Sequence, residues 1–497
     1  MNMIMQRPKI GIVTALALLL FLQHSATAQT QGADSLISEI SSGPAVTYTI
    51  QQCIDSALKN SLNVKTSEFT ARSAQVAYLG QIGTMLPTII GSAQFQNSGG
   101  KSVNQATYQY VTENFNQGYG QVQGSVPLFN GFSIHNYIKQ YSLAYEADKK
   151  DWQYQKDLIT ISIIQDFLAI MGTEELLDLA QKQAADIRRS ANLMTIQDSL
   201  GSIPHSNLTD ELAAMNAAEL TIVSTKNNLE QSKLKLANDM NIPYTPNMDV
   251  VKLNVDLNPV LYNASVDQVY QNATHNIAAI QAQELHVASA RKGVQAARGN
   301  MAPTLSFYYG VYSNYSSAAT TTASLGMAYA TDGSYVNVNG AQQLVNYPFS
   351  VAGATKGVPF NTQFKANVQT SIGLNLNIPI LNRLSYRVIY KNSLIARDQA
   401  LFMQKTINTN LRQAVESNYV TMMQNFRTYN VTYRQVQNYE ESFREAQIKF
   451  DAGALASLAF VIYNTNKNNS ELNLISAKYS YILATKILDY YQGQLTW

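Results

Sequence analysis

From Asn367 to Ile378 the chain alternates: Val368, Thr370, Ile372, Leu374, Leu376 and Ile378 fall on one side, and Asn367, Gln369, Ser371, Gly373, Asn375 and Asn377 on the other. A period of two is that of a strand, and one apolar face opposite one polar face suits a wall between lipid and water. Thr304 to Tyr312 has the same rhythm, with Leu305, Phe307, Tyr309 and Val311 on one side. Weaker versions carry Ile89, Ala93 and Phe95, then Val122 and Val126, among Gly, Ser and Gln. The pattern predicts four strands, at 88–98, 117–127, 304–313 and 366–378. A tilted strand of about 9–11 residues is what a bilayer crossing requires.

Between the strands the period lengthens. Ile50, Cys53, Ile54, Ala57, Leu58 and Val64 recur at three and four residues, as do Val266, Val269, Ala273, Ile277 and Ile280. These rows predict one helix from Thr49 to Gln81 and a counterpart after Ser265, with Thr49 and Ser265 as N-caps. Leu394, Leu401, Asn408, Val415, Met422, Tyr429, Val436, Phe443 and Phe450 fall at strict seven-residue intervals, and Ile163, Ile170, Leu177, Ala184 and Ala191 form a related row. Such rows are coiled-coil packing stripes. No proline interrupts the chain between Pro127 and Pro204 or after Pro379, which permits helices of about 70 residues and on the order of 100 Å. Gly201 and Gly453 then permit tight reversals into second helices, from about Asn207 to Met240 and Ser457 to Tyr491.

The prolines show that these two sets of elements are one plan used twice. Pro87 in Met85-Leu86-Pro87-Thr88 returns 216 residues later (303 − 87) as Pro303 in Met301-Ala302-Pro303-Thr304. Pro127, opening Pro-Leu-Phe-Asn, returns 252 residues later (379 − 127) as Pro379, opening Pro-Ile-Leu-Asn. The second half therefore holds 36 more residues between landmarks. They fall in a Thr-, Ser-, Gly-, Asn- and Tyr-rich stretch, Ser313 to Phe364, that reads as a surface loop. The expected division is a leader at 1–28, a first repeat at 29–240, a linker at 241–264 and a second repeat at 265–497. In the linker Val251, Leu253 and Val255 alternate as a short strand. Four strands cannot close a lipid-facing barrel, whose minimum is about eight, so the missing wall must come from other copies of the chain.

Composition narrows the function. Only 14% of the 497 residues are charged against 46% hydrophobic, and 30 tyrosines suit an interfacial wall. Arg7 and Lys9 precede an apolar run from Ile10 to Leu22 and then Ala26-Thr27-Ala28, the pattern of a cleaved export signal. Without that leader the balance is 33 basic to 33 acidic residues, which offers no field for nucleic acid. The lone Cys53 reads as a small buried residue. The histidines that follow the leader, His135, His205, His275 and His286, are scattered without metal-ligand spacing, and no phosphate-binding glycine loop occurs. Asp210-Glu211, Glu440-Glu441 and Glu174-Glu175 read as solvated helix charges. The reading has no catalytic residues, cofactor or metal.

The doubled order of helix, proline-led strand, second strand ending in Pro127-Leu128-Phe129-Asn130 or Pro379-Ile380-Leu381-Asn382, and glycine-tipped hairpin resembles the TolC family of outer-membrane efflux proteins. The resemblance covers essentially all of the mature chain. It implies an α+β membrane protein: a homotrimeric 12-stranded β-barrel in outer-membrane lipid of a Gram-negative bacterium, continued by an α-helical periplasmic barrel. It also implies a passive exit duct of a tripartite efflux or type I secretion system, joined through a periplasmic adaptor to an inner-membrane pump. By that resemblance the tips form the docking surface and aperture, at Gly201, Pro204, Asn207, Phe450, Gly453, Leu455, Ala459 and Ile462. Ala459 and Ile462 stand where family members can carry acidic rings, so the expected constriction is neutral and apolar. Pro204 reads as the start of the next helix. A periplasmic coiled-coil adaptor or a structural surface protein are the rival readings; neither calls for proline-bounded strand pairs repeated in register.

Overall fold

The computed structural model describes residues 46–103, 108–111, 114–252 and 260–494. The leader at 1–28 and the expected strand positions Leu253 and Val255 lie outside the described residues. The first repeat runs through β1 (Val46–Tyr48), α1 (Ile50–Asn60), α2 (Leu62–Gly83), β2 (Thr88–Ser98), β3 (Ser102–Val103), β4 (Tyr110–Val111), β5 (Phe115–Phe129), α3 (Ser133–Ser199) and α4 (His205–Asp239). After β6 (Met248–Val250) the second repeat runs through α5 (Val266–Asn276), α6 (Ala278–Gly299), β7 (Thr304–Ser316), β8 (Thr320–Val338), β9 (Ala341–Gly357), α7 (Phe360–Ala366), β10 (Gln369–Asn377), α8 (Ser385–Asp451) and α9 (Ser457–Gln492).

The predicted cap residues do cap. The Thr49 hydroxyl accepts from the Gln52 amide while the Gln52 side chain accepts from the Thr49 amide, and Ser265 and Gln268 make the same box. Each leading helix is nevertheless broken where the sequence predicts continuity. Ser61 and Ile277, again 216 apart, are extended at ψ 123° and 120°, and separate α1 from α2 and α5 from α6. The apolar rhythm continues across the break, because α1 still has to bury Ile50, Cys53, Ile54 and Ala57 against Ile163 and Phe167 of α3. Cys53 is fully buried, and burial pushes its thiol up to about 12.

The four long strands form one antiparallel sheet in the order β10-β7-β5-β2. Thr88 faces Ser125 in the first hairpin and Thr304 faces Asn377 in the second, so the repeats share one register as well as one order. The observed strands are Thr88–Ser98, Phe115–Phe129, Thr304–Ser316 and Gln369–Asn377. The fourth starts later than the expected 366, because Ala366 closes α7. Ile372, Leu374 and Leu376 are exposed, as a lipid-facing row must be.

The surface connection between β7 and β10 is ordered as a two-stranded ribbon, β8 with β9, of 19 and 17 residues. Asn339 and Gly340, both at positive φ, make its two-residue turn between paired Val338 and Ala341, which is the preferred chemistry of a tight hairpin. Gln363 of α7 anchors the base: its amide nitrogen donates to the Ser316 carbonyl at 2.8 Å and its oxygen accepts from the Ser316 amide at 3.0 Å. The linker contributes a short strand just before the expected positions, of which only Val251 lies among the described residues. It is Met248–Val250, parallel to Val46–Tyr48, and it buries Met248 and Val250 in the cluster around Phe167 and Leu236.

Two helices of 67 residues each, α3 and α8, give the body a length of about 100 Å. Their stripes pack as the heptads require: Ile163, Ile170 and Ala191 are buried, and so are Val415, Met422 and Val436. The strand-to-helix corners repeat too. Gly131 and Phe132 have φ of 62° and 61°, and Arg383 and Leu384 have 54° and 62°. A Cβ at Gly131 would fall 2.4 Å from both the Ala302 Cβ and the Gly299 carbonyl oxygen.

Candidate functional site: the hairpin tips and the open edges

Both long helices end in the same left-handed turn. Gly201 has φ +67° and Gly453 φ +69°, and the next amides reach back, Ser202 to the Gln197 carbonyl at 2.9 Å and Ala454 to the Lys449 carbonyl at 2.8 Å. This is the six-to-one closure of a glycine-capped helix. No atom lies within 4 Å of a Cβ built at either glycine, so the backbone alone demands glycine there. Pro204 and Ala456, 252 apart, are the extended N-cap residues of α4 and α9. His205 opens α4, with its Nδ1 3.1 Å from an Asp198 carboxylate oxygen.

The expected tip residues gather at these turns with different exposures. Asn207 is half-buried, its amide donating to the Pro204 carbonyl at 2.9 Å. Leu455 and Ala459 are half-buried, and Ile462 is exposed. Phe450 turns inward and stacks on Phe460 with centroids 4.4 Å apart, and Phe443 meets the same ring at 5.6 Å. These rings floor a groove of about 470 Å³ between α3 and the second hairpin, walled by Arg189, Leu193, Gln197 and Asn464. Phe460 was not foreseen. Its ten-residue distance from Phe450 crosses the turn, and only the hairpin brings the two together.

At the other end, β2 and β10 are the outer strands of the four-stranded sheet, with no strand paired beyond them among the described residues. Below them, Leu62, Phe69 and Val76 on α2, and Val388, Ile395 and Phe402 on α8, are exposed at seven-residue spacing. Exposed apolar rows of this length mark contact surfaces. No helix among the described residues is long and apolar enough to cross a membrane.

The buried charged side chains among the described residues, Asp166, Glu174, Glu211 and Lys233, all lie in the first repeat. Asp166, 3% exposed, is paired with Lys235 beside Asp239, whose carboxylate accepts from the Ser162 hydroxyl at 2.6 Å. Burial, with the neighbouring Asp239, lifts Asp166 to about 7. Burial, with Asp249 alongside, lifts Glu174 to about 7 as well. The corresponding residues 252 positions on are Asn418 for Asp166, Phe426 for Glu174 and Tyr491 for Asp239, with Asn418 and Tyr491 in contact at 3.4 Å. Glu174 therefore departs from its expected role as a solvated charge, as does Glu211 at 2% exposed.

A duplicated sheet of lipid-length strands, continued by glycine-tipped helical hairpins, defines a subunit of an outer-membrane channel with a helical body beneath it. Residues 269–493 match the family described as outer membrane efflux protein. The second repeat belongs to that family, and the first repeats its fold. No curated protein sequence matches the chain significantly. Among solved structures, the outer membrane channel CmeC of Campylobacter jejuni superposes with a TM-score of 0.66 at 14% identity over 99% of this chain and 94% of its own. VceC of Vibrio cholerae gives 0.67 at 12% identity over 89% and 96%, and the open-state channel MtrE of Neisseria gonorrhoeae gives 0.67 at 14% over 90% and 89%. The whole chain therefore shares the fold of these outer-membrane channels, and its second repeat carries the sequence pattern of the efflux family.

Proposed function

We propose that three copies of this chain close a 12-stranded barrel and a helical tube, forming the passive outer segment of a tripartite export machine. The observation that carries this reading is the internal join. Within one chain β5 of the first repeat pairs with β7 of the second, with Val122 opposite Val311. Since β10 is the repeat of β5 and β2 the repeat of β7, the two open edges are the two halves of the same join. Head-to-tail pairing of β10 with the next copy's β2 supplies it without new geometry, and closes when the rotation does. The helices follow the same rule: α3 lies against α6 within the chain, as α8 would against α2 of a sister copy.

The groove between α3 and the Phe443–Phe460–Phe450 stack is a seat for a helical hairpin of a periplasmic adaptor, because it offers aromatic floor and polar walls at the end remote from the membrane. The duct contributes no energy of its own; the pump upstream does. Reconstitution of the purified protein in planar bilayers tests the conduit. Trimer-sized particles with steady single-channel conductance are expected, and a monomer that leaves bilayers non-conducting would overturn the reading.

A further inference from the structure

The fold assembles one group that the scattered histidines of the sequence conceal. Asp148 and Asp151 stand three residues apart on α3, and His286 faces them from α6, with one ligand atom from each lying within 4.8 Å of the others. The His286 Nε2 is 2.9 Å from an Asp151 carboxylate oxygen. We propose that these three side chains bind a divalent transition-metal ion of zinc type, which staples the long hairpin of the first repeat to the leading helix of the second.

The chemistry and the spacing agree. Zinc takes imidazole nitrogen and carboxylate oxygen at about 2.0–2.2 Å, which places tetrahedral ligands roughly 3.4 Å from one another. The observed separations, from 2.9 Å to within 4.8 Å, bracket that value, so changes of side-chain rotamer are enough to close the shell. Three protein ligands leave one position for water, and the half-exposed Asp151 and His286 leave a path for the ion. The ligands also rest on rigid supports. Ala147 beside Asp148 and Val287 beside His286 are buried in the helix contact, and one turn further on Ser289 donates to the Gln140 carbonyl at 2.9 Å.

The duplication supplies an internal control. In the other repeat the same three positions are Ala400, Met403 and Thr70, none of which can complete such a site. Nothing in the shared scaffold therefore demands two carboxylates and an imidazole at this seam. A plain His286–Asp151 ion pair would also leave Asp148 without a purpose. It has no ion pair within 4.0 Å among the described residues, yet it is half-buried beside a second carboxylate.

The test uses the full-length protein in detergent, stripped with chelator and titrated with zinc chloride by calorimetry, with thermal unfolding read in parallel. One zinc per chain and a raised unfolding midpoint are expected. Asp148→Asn, which keeps the His286–Asp151 contact and the metal-free midpoint, should weaken zinc binding at least tenfold and abolish the zinc-induced rise, as should His286→Gln. Equal zinc affinity in the parent and Asp148→Asn, or no stoichiometric zinc on the parent protein, would overturn the proposal.

Discussion

The register of the barrel seam between copies follows from the register inside the chain. Val122 faces Val311 across β5 and β7. Moving 252 residues forward from Val122 gives Leu374, and moving 216 back from Val311 gives Phe95, so Leu374 of one copy is expected opposite Phe95 of the next. Both are exposed in the single chain, at 63% and 67%, and both lie on the lipid-facing side. Directly opposed residues have Cα atoms about 4.5–5.5 Å apart, within the roughly 4.4–6.8 Å that a disulfide spans. A diagonal partner two residues along lies about 7–8 Å away and is out of range. The chain carrying Leu374→Cys with Phe95→Cys should therefore run as a covalent trimer on non-reducing gels of isolated outer membranes. Pairing Leu374→Cys with Ala93→Cys or with Asn97→Cys should leave monomers. Cys53, fully buried, contributes no background. Stronger cross-linking at 93 or 97, or none at 95, would refute the transfer of register. A slip of one residue is excluded on separate grounds, since it would set Leu374 opposite Gln94 or Gln96 and turn one apolar row to water.

Three further outcomes are expected. Gly453→Val places a β-branched residue at φ +69°, at a local cost of about 1–2 kcal/mol, and should cut export while the trimer still assembles; export assays with normal assembly and no loss would count against the tip as aperture. Gly131→Ala combines a left-handed backbone with a Cβ 2.4 Å from Ala302 and Gly299, and should destabilise the strand-to-helix corner by about 2–5 kcal/mol, read as a fall in the thermal midpoint. The buried carboxyls set a pH slope. Asp166 and Glu174 keep protons in the folded state, up to about 7, that the unfolded chain gives up near 4, so stability falls as pH rises through that window and is level above it. Asp166→Asn should remove about half of that slope, and an unchanged thermal midpoint profile between pH 4.5 and 7.5 would show that Asp166 is ionised throughout.

Elements ruled by local periodicity were legible in the chain. The first strand is observed at the expected bounds, 88 to 98, because alternation and the proline before it are both local signals. The ribbon was less so. Its composition suggested a loop, although Asn339-Gly340 between β-branched and aromatic residues was a hairpin signal in plain view. The breaks at Ser61 and Ile277 left no mark, since burial of α1 and α5 keeps the helical rhythm running through them.

The sequence by itself determined the duplication, the four strands, the two long hairpins and the glycine turns that end them, because each rests on spacing within a few residues or on a repeated landmark. Tertiary structure alone decided which residues meet. Asp148 and Asp151 are 135 or more residues from His286, Asp166 lies 69 from Lys235, and Phe460 reaches Phe450 only across a turn. Those contacts depend on how helices lie side by side over about 100 Å, and a shift of one residue in that packing would rotate every side chain away from its partner.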